Sequence, residues 1–196
     1  MRIALVGARG SGKTTLLDQI AQLYPNIKTI DLDRYIEAEK GQPIANIFTC
    51  FGEPEFRRIE EECLKELSKK ISEQVIVAVG AGYVGDIPDG FTCVWIQRST
   101  DLDGRIFLDR PRLDPDLNEL EEYLHRYSKR RQVYKKQSNF QYELPEGEHP
   151  MQAEAFLSCF LNPPEKPYGD FDFTVYSEMA EQEEFLKRLI DLCQVC

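Results

Sequence analysis

Positive charge is in short supply: 24 lysines and arginines stand against 34 aspartates and glutamates, a formal net charge of −10 over 196 residues. So acidic a chain repels a nucleic-acid backbone, which argues against a general affinity for nucleic acid. An anionic ligand must then be met by a local basic pocket. Long apolar runs are missing as well. None approaches the roughly 18–20 residues that cross a bilayer, so no membrane partner is expected. Histidine is scarce, at two residues, and neither His125 nor His149 has a carboxylate or histidine at ligand spacing; both read as incidental. The six cysteines are scattered, mostly in apolar contexts, as expected of reduced thiols in a cytoplasmic protein. Cys193 and Cys196 form a C-x-x-C without a second pair, and the βαβ context that makes such a motif informative is lacking, so it reads as coincidence. There is no internal repeat and no low-complexity tract.

What is present is enough for one domain spanning 1–196: hydrophobic residues make up 42% of the chain, which supports a real core. Strand and helix patterns alternate, which predicts a parallel sheet covered on both faces. Arg2–Val6 reads as a buried strand and not as a signal peptide. A helix from about Lys13 carries Leu16, Leu17, Ile20 and Leu23 at helical spacing. Strand is expected over 26–32, helix over 34–40, and a short helix from Pro43 through Phe48. A long amphipathic helix, 53–71, follows with Phe56, Ile59, Cys63, Leu64 and Leu67 on one face. Residues 74–79 and 92–96 are apolar strands, a helix begins near Asp101, 109–118 is a loop, and 119–137 is helical. The last strand and helix are expected at 173–176 and 178–192. Between them and the helix at 119–137, residues 141–170 hold five prolines and one apolar stretch, 153–161, and read as a surface insertion.

Residues 7–14, Gly-Ala-Arg-Gly-Ser-Gly-Lys-Thr, match the phosphate-binding loop directly after a strand. Its glycines let backbone N–H groups wrap a β-phosphate, and the helix N-terminus adds its positive dipole end. Lys13 reaches the β and γ oxygens of a nucleoside triphosphate, and the Thr14 hydroxyl ligates Mg²⁺. The pair Asp31 and Asp33 ends the second strand, at the edge where ligands bind in open α/β sheets. One carboxylate could orient or deprotonate an acceptor hydroxyl and the other hold Mg²⁺ through water; equally, Asp33 could cap the helix that follows. Arg57 and Arg58 suit a planar grip on a carboxylate, or an i,i+4 ion pair such as Arg58 with Glu62. Gly80-Ala81-Gly82 could offer backbone N–H groups to an anion, or form a plain turn. Arg110-Pro111-Arg112 could close over a γ-phosphate, or be an exposed basic loop. Arg130 and Arg131, beside Lys129, are open to the same two readings.

The order of these pieces resembles the shikimate kinase signature. After the phosphate loop and Asp31-x-Asp33 come Ile36-Glu37-x-x-x-Gly41-x-x-Ile44-x-x-Ile47-Phe48, then Gly52-Glu53-x-x-Phe56-Arg57-x-x-Glu60. The turn at 80–82, Arg110-Pro111 and Arg130-x-x-x-Tyr134 continue it. The resemblance implies an α/β, three-layer P-loop kinase fold with a five-stranded parallel sheet and a lid loop at about 109–118. It implies ATP- and Mg²⁺-dependent phosphorylation of the 3-hydroxyl of shikimate, a small-molecule substrate, by a cytoplasmic enzyme expected to be a monomer. Gly10, Ser11, Gly12, Lys13, Thr14 and Thr15 would then meet the nucleotide, with Thr14 and Asp31 at the metal. Asp33 would bind the acceptor hydroxyl and serve as base. Arg57 and Arg130 would clamp the acceptor carboxylate, helped by Gly80, Ala81 and Gly82, and Arg110 would be the lid arginine. Competing readings are a related kinase with another hydroxylated acceptor, or a kinase-fold binding protein. The chain departs from the family at Ala81, where three glycines are usual, at Arg112, which replaces a lid leucine, and at 141–170.

Overall fold

Two residue faces alternate along the first strand, and the whole architecture follows from that alternation. In the computed structural model, which describes residues 1–71, 74–98, 114, 116–144 and 152–161, β1 spans Arg2–Val6. Ile3 and Leu5 point into one apolar cluster, and Ala4 and Val6 into another. A strand that is apolar on both faces must be covered on both, so β1 sits in the middle of the sheet. The remaining strands are β2 (Lys28–Asp31), β3 (Val75–Ala78), β4 (Thr92–Arg98) and β5 (Phe140–Leu144). All pair in parallel, in the order β2-β3-β1-β4-β5.

Helix α1 (Lys13–Leu23) buries Leu16, Leu17 and Ile20 on one face of the sheet, joined there by Phe156 and Leu157 of α5 (Gln152–Leu161). On the other face, α2 (Leu32–Lys40) contributes Leu32 and Ile36, and α3 (Ile44–Lys70) contributes Ile47, Phe56, Ile59, Leu64 and Leu67. Three layers result. Helix α3 is two helices meeting at Gly52, whose φ of 78° and ψ of 170° are not helical. Pro54 fits just after the break, at the start of the second piece, where its missing N–H is harmless. The separate helices expected at 43–48 and 53–71 are thus present and abut. Helix α4 (Glu119–Gln137) opens with a reciprocal cap between Asn118 and Glu121.

Two expectations are corrected. The fifth strand of the sheet, β5, overlaps the start of the segment expected as an insertion and follows α4 after only two residues. The segment 141–170 therefore does not behave as a surface insertion where it is described. Leu144, Ala153, Phe156 and Leu157 are fully buried against the sheet and α1, with Tyr142 edge-on to Phe156. The physical reason is that β5 lies at a sheet edge, so it alternates polar and apolar residues and lacks the continuous apolar run of β3. The second strand is also shorter than 26–32, because the backbone turns helical at Leu32, which is fully buried. The helix near Asp101, Arg110, Arg112, most of the lid, His149, the strand at 173–176, the helix at 178–192 and the C-x-x-C lie outside the described residues.

Candidate functional site

Parallel strands place all their carboxyl ends on one edge, and there the chemistry-bearing loops collect. The loop leaving β1 runs through Gly10 (φ 82°) and Gly12 (φ 93°), both left-handed, a conformation that turns backbone N–H groups inward at no steric penalty. Gly12 is the N-cap of α1 and has no side chain to cap the first-turn N–H groups. Those donors and the helix dipole form a seat for an anion. Lys13 is 9% exposed, and its Nζ donates to the carbonyls of Gly7 (2.8 Å) and Ala8 (2.9 Å). Ser11 is buried, and Thr14 and Thr15 are half-buried at the mouth of the helix.

Thr14 Oγ1 donates to Asp31 Oδ2 at 2.9 Å, which joins the phosphate loop to the end of β2. The other oxygen of Asp31 accepts from the backbone N–H groups of Asp33 (3.1 Å) and Arg34 (3.4 Å), so Asp31 caps α2. The capping role that was the alternative for Asp33 is therefore filled two residues earlier, which leaves the Asp33 side chain available. A hydroxyl and a carboxylate so joined, beside the uncapped helix end, fit a magnesium ion shared with nucleotide phosphates. Magnesium keeps most of its waters and takes only one or two protein oxygens.

Asp33 Oδ1 is buried and has no hydrogen-bond partner. Burial raises its pKa, the neighbouring Asp31 raises it further, and Lys13 and Arg57 oppose the rise. Across from it, the inner face of α3 presents Arg57 and the fully buried Glu60. Arg57 Nη1 pairs with Glu60 Oε2, while Nη2 (2.8 Å) and Nε (3.3 Å) donate to Glu53 Oε1. The guanidinium also stands 5.2 Å from the ring centre of Phe56 and 5.9 Å from that of Phe48. Burial pushes the Glu60 carboxyl up to about 7 against the pull of Arg57. Glu60 Oε1 has no partner either. Arg58, on the outer face, pairs with Glu55 and Glu62, the surface ion pair that was the alternative for this Arg-Arg step.

The turn after β3 threads between these groups, and its two outer glycines leave the Glu60 and Arg57 side-chain ends their places. A Cβ on Gly80 would overlap Glu60 Oε1 and lie 3.0 Å from Asp33 Oδ1; one on Gly82 would overlap the Arg57 guanidinium. The middle residue is different. No described non-glycine residue has positive φ, so Ala81 sits in ordinary backbone space. Its carbonyl accepts a hydrogen bond from the Tyr134 hydroxyl of α4. Tyr134 is buried against Trp95, with ring centres 5.9 Å apart. One turn earlier on α4, Arg130 is half-buried, and together with Arg126 its charge holds the Glu53 carboxyl below its ordinary value, the largest share of that lowering coming from the Arg57 hydrogen bonds.

The expected residues Lys13, Thr14, Asp31, Asp33, Arg57, Gly80, Ala81, Gly82 and Arg130 therefore share one edge of the sheet. Sequence reasoning assigned no role to Glu60, Glu53 or Tyr134, although all three stand in the motifs. The i,i+3 spacing of Glu60 from Arg57, on the face that carries Phe56, Ile59 and Cys63, is the signal that could have found the buried pair.

Comparison with known proteins is consistent with this arrangement. Residues 9–159 match the family model described as shikimate kinase. The chain is 33% identical to the shikimate kinase of Helicobacter hepaticus over 141 residues, which cover 70% of this chain and 83% of that protein. It is 43% identical over 86 residues to a bifunctional shikimate kinase/3-dehydroquinate synthase of Thermotoga maritima, covering 44% of this chain and 17% of that longer protein. Among solved structures, shikimate kinase from Acinetobacter baumannii in complex with shikimate superposes with a TM-score of 0.71 at 26% identity, covering 84% of this chain and 95% of that one.

Proposed function

Because the chain belongs to the shikimate kinase family, we propose how its residues pass the γ-phosphoryl group of ATP to the 3-hydroxyl of shikimate, yielding shikimate 3-phosphate and ADP. The observation that carries the reading is the pairing of a seat for phosphate, at Gly10–Thr15, with a buried and unpartnered Asp33 oxygen just beyond β2, on the far side of β3. Phosphoryl transfer asks little covalent chemistry of a protein; positioning and charge stabilisation do most of the work.

Lys13 and the first-turn N–H groups of α1 hold the β and γ phosphates. A magnesium ion, bound through Thr14 and Asp31, would neutralise charge on those phosphates. Asp33 accepts the hydrogen bond of the acceptor hydroxyl and takes its proton as the oxygen–phosphorus bond forms and the bond to the ADP leaving group breaks. Its raised pKa suits that task, since a base nearer neutrality gives and takes protons more readily. Arg57 and Arg130 grip the acceptor carboxylate, and the backbone of Gly80, Ala81 and Gly82 closes that side. Arg110, on the lid, stabilises the charge of the transferring group.

One domain carries both halves of this site, and we place it in the cytoplasm as a monomer acting on a small molecule. The acidic composition argues against nucleic acid, and no described helix is long and apolar enough to cross a membrane. A coupled assay tests the reading: ADP release from Mg·ATP must depend on added shikimate. Release driven by another polyol and not by shikimate overturns the choice of acceptor. ATP binding without turnover on any hydroxy acid would favour a binding protein.

A further inference from the structure

The Arg57 guanidinium has two carboxylate partners of opposite character. Glu60 is fully buried and fixed on the inner face of α3. Glu53 has a side chain 53% exposed and follows directly on Gly52, where the helix is broken. One of its oxygens, Oε1, spans the Nε–Nη2 edge of the guanidinium, the edge that a carboxylate can grip with two oxygens. It also lies within the fields of Arg126 and Arg130 on α4. A carboxylate against Arg57 and facing Arg130 is what the preceding reading requires of the acceptor. The protein already has one there.

We propose that Glu53 is an internal stand-in for the acceptor carboxylate, holding the Arg57 fork until the acceptor displaces it, and so sets the affinity for acidic acceptors. The inference rests on the assignment of Arg57 and Arg130 to acceptor binding. Displacement is cheap on the Glu53 side, because its side chain is already half in water and, once released, remains at the start of a helical segment where negative charge is favoured. Glu60 stays behind and keeps the guanidinium oriented. An acceptor without a carboxylate has nothing to offer in exchange. It must leave Glu53 in place and forgo the fork, so the exchange also discriminates between charged and neutral acceptors.

The test compares wild type with Glu53→Gln and Glu53→Asp, using shikimate and its methyl ester as acceptors. An exposed ion pair of this kind is worth a factor of about two to five. Glu53→Gln should therefore lower the KM for shikimate by that factor, with kcat and the KM for ATP unchanged. The KM for the ester should not move. Glu53→Asp, which keeps the charge, should stay near wild type. A KM for shikimate that rises or stays the same in Glu53→Gln overturns the inference, as does an equal fall for acid and ester. If wild type itself fails to turn over shikimate, the inference falls together with the acceptor assignment; if wild type turns it over and only the variant result is contrary, this inference alone falls.

Discussion

The hydroxyl of Tyr134 donates to the carbonyl of Ala81, fastening the turn after β3 to helix α4. The two residues are 53 positions apart, and the contact joins the element that carries Arg130 to the turn that packs on Asp33, Glu60 and Arg57. Removing the hydroxyl with Tyr134→Phe should cost about 1 kcal/mol of stability in urea unfolding, since a part-buried carbonyl loses its donor. It should also raise the KM for the acceptor by a few-fold while leaving that for ATP unchanged. A variant with unaltered acceptor KM would show that the turn holds its position without this tie.

Gly82 and Ala81 should respond in opposite ways to exchange. Gly82→Ala puts a methyl group where the Arg57 guanidinium lies, so the arginine must leave its place. The KM for shikimate should rise at least about tenfold, the loss expected when a charged hydrogen bond is removed from binding. Ala81→Gly should do almost nothing to acceptor KM, because Ala81 already has an unstrained backbone. Steady-state kinetics on the two variants checks both halves.

Glu60 should make the fold less stable as pH rises. Its carboxyl holds its proton up to about 7 in the native state, against an ordinary value of 4.5, mainly through burial. Between those limits the native state binds more protons than the unfolded chain. By linkage, stability is then lost as pH climbs from about 4.5 to 7 and is level above that window. Asp33, also raised, acts in the same direction. Thermal melts of wild type and Glu60→Gln from pH 4.5 to 8 should differ in slope, the variant being flatter. Parallel curves would mean that Glu60 is ionised throughout.

Asp33→Asn should lower kcat by about 10²–10⁴, the usual worth of a general base. ATP affinity should change little, because Asp31, and not Asp33, bonds to Thr14 and caps α2. Single-turnover measurement with saturating shikimate separates the chemical step from release. A kcat within a few-fold of wild type would remove Asp33 from proton transfer.

These residues also show what can be read from a linear chain and what cannot. The phosphate loop was legible because its chemistry is local: glycines, lysine and threonine at fixed spacing between a strand and a helix. The apolar runs of β1 and β3 were legible because central strands are covered on both faces. Strand β5 was not, since an edge strand alternates like any amphipathic segment and here it follows α4 after only Ser138 and Asn139. The capping role fell to Asp31 instead of Asp33 because that depends on where β2 stops, and a D-x-D pattern is compatible with either. Glu60 and Glu53 look alike in sequence, as two acidic residues flanking one arginine on a charged helix. Only burial tells them apart.

The strand at the outer border of the sheet has a consequence for the crowded cell. β2 is four residues long and carries Lys28 at one end and Asp31 at the other. A border so short, bracketed by opposite charges, gives a stray extended peptide too few free backbone groups to add itself as a sixth strand. The margin stays this short because Asp31, the residue that bonds to Thr14, caps α2 and ends the strand there.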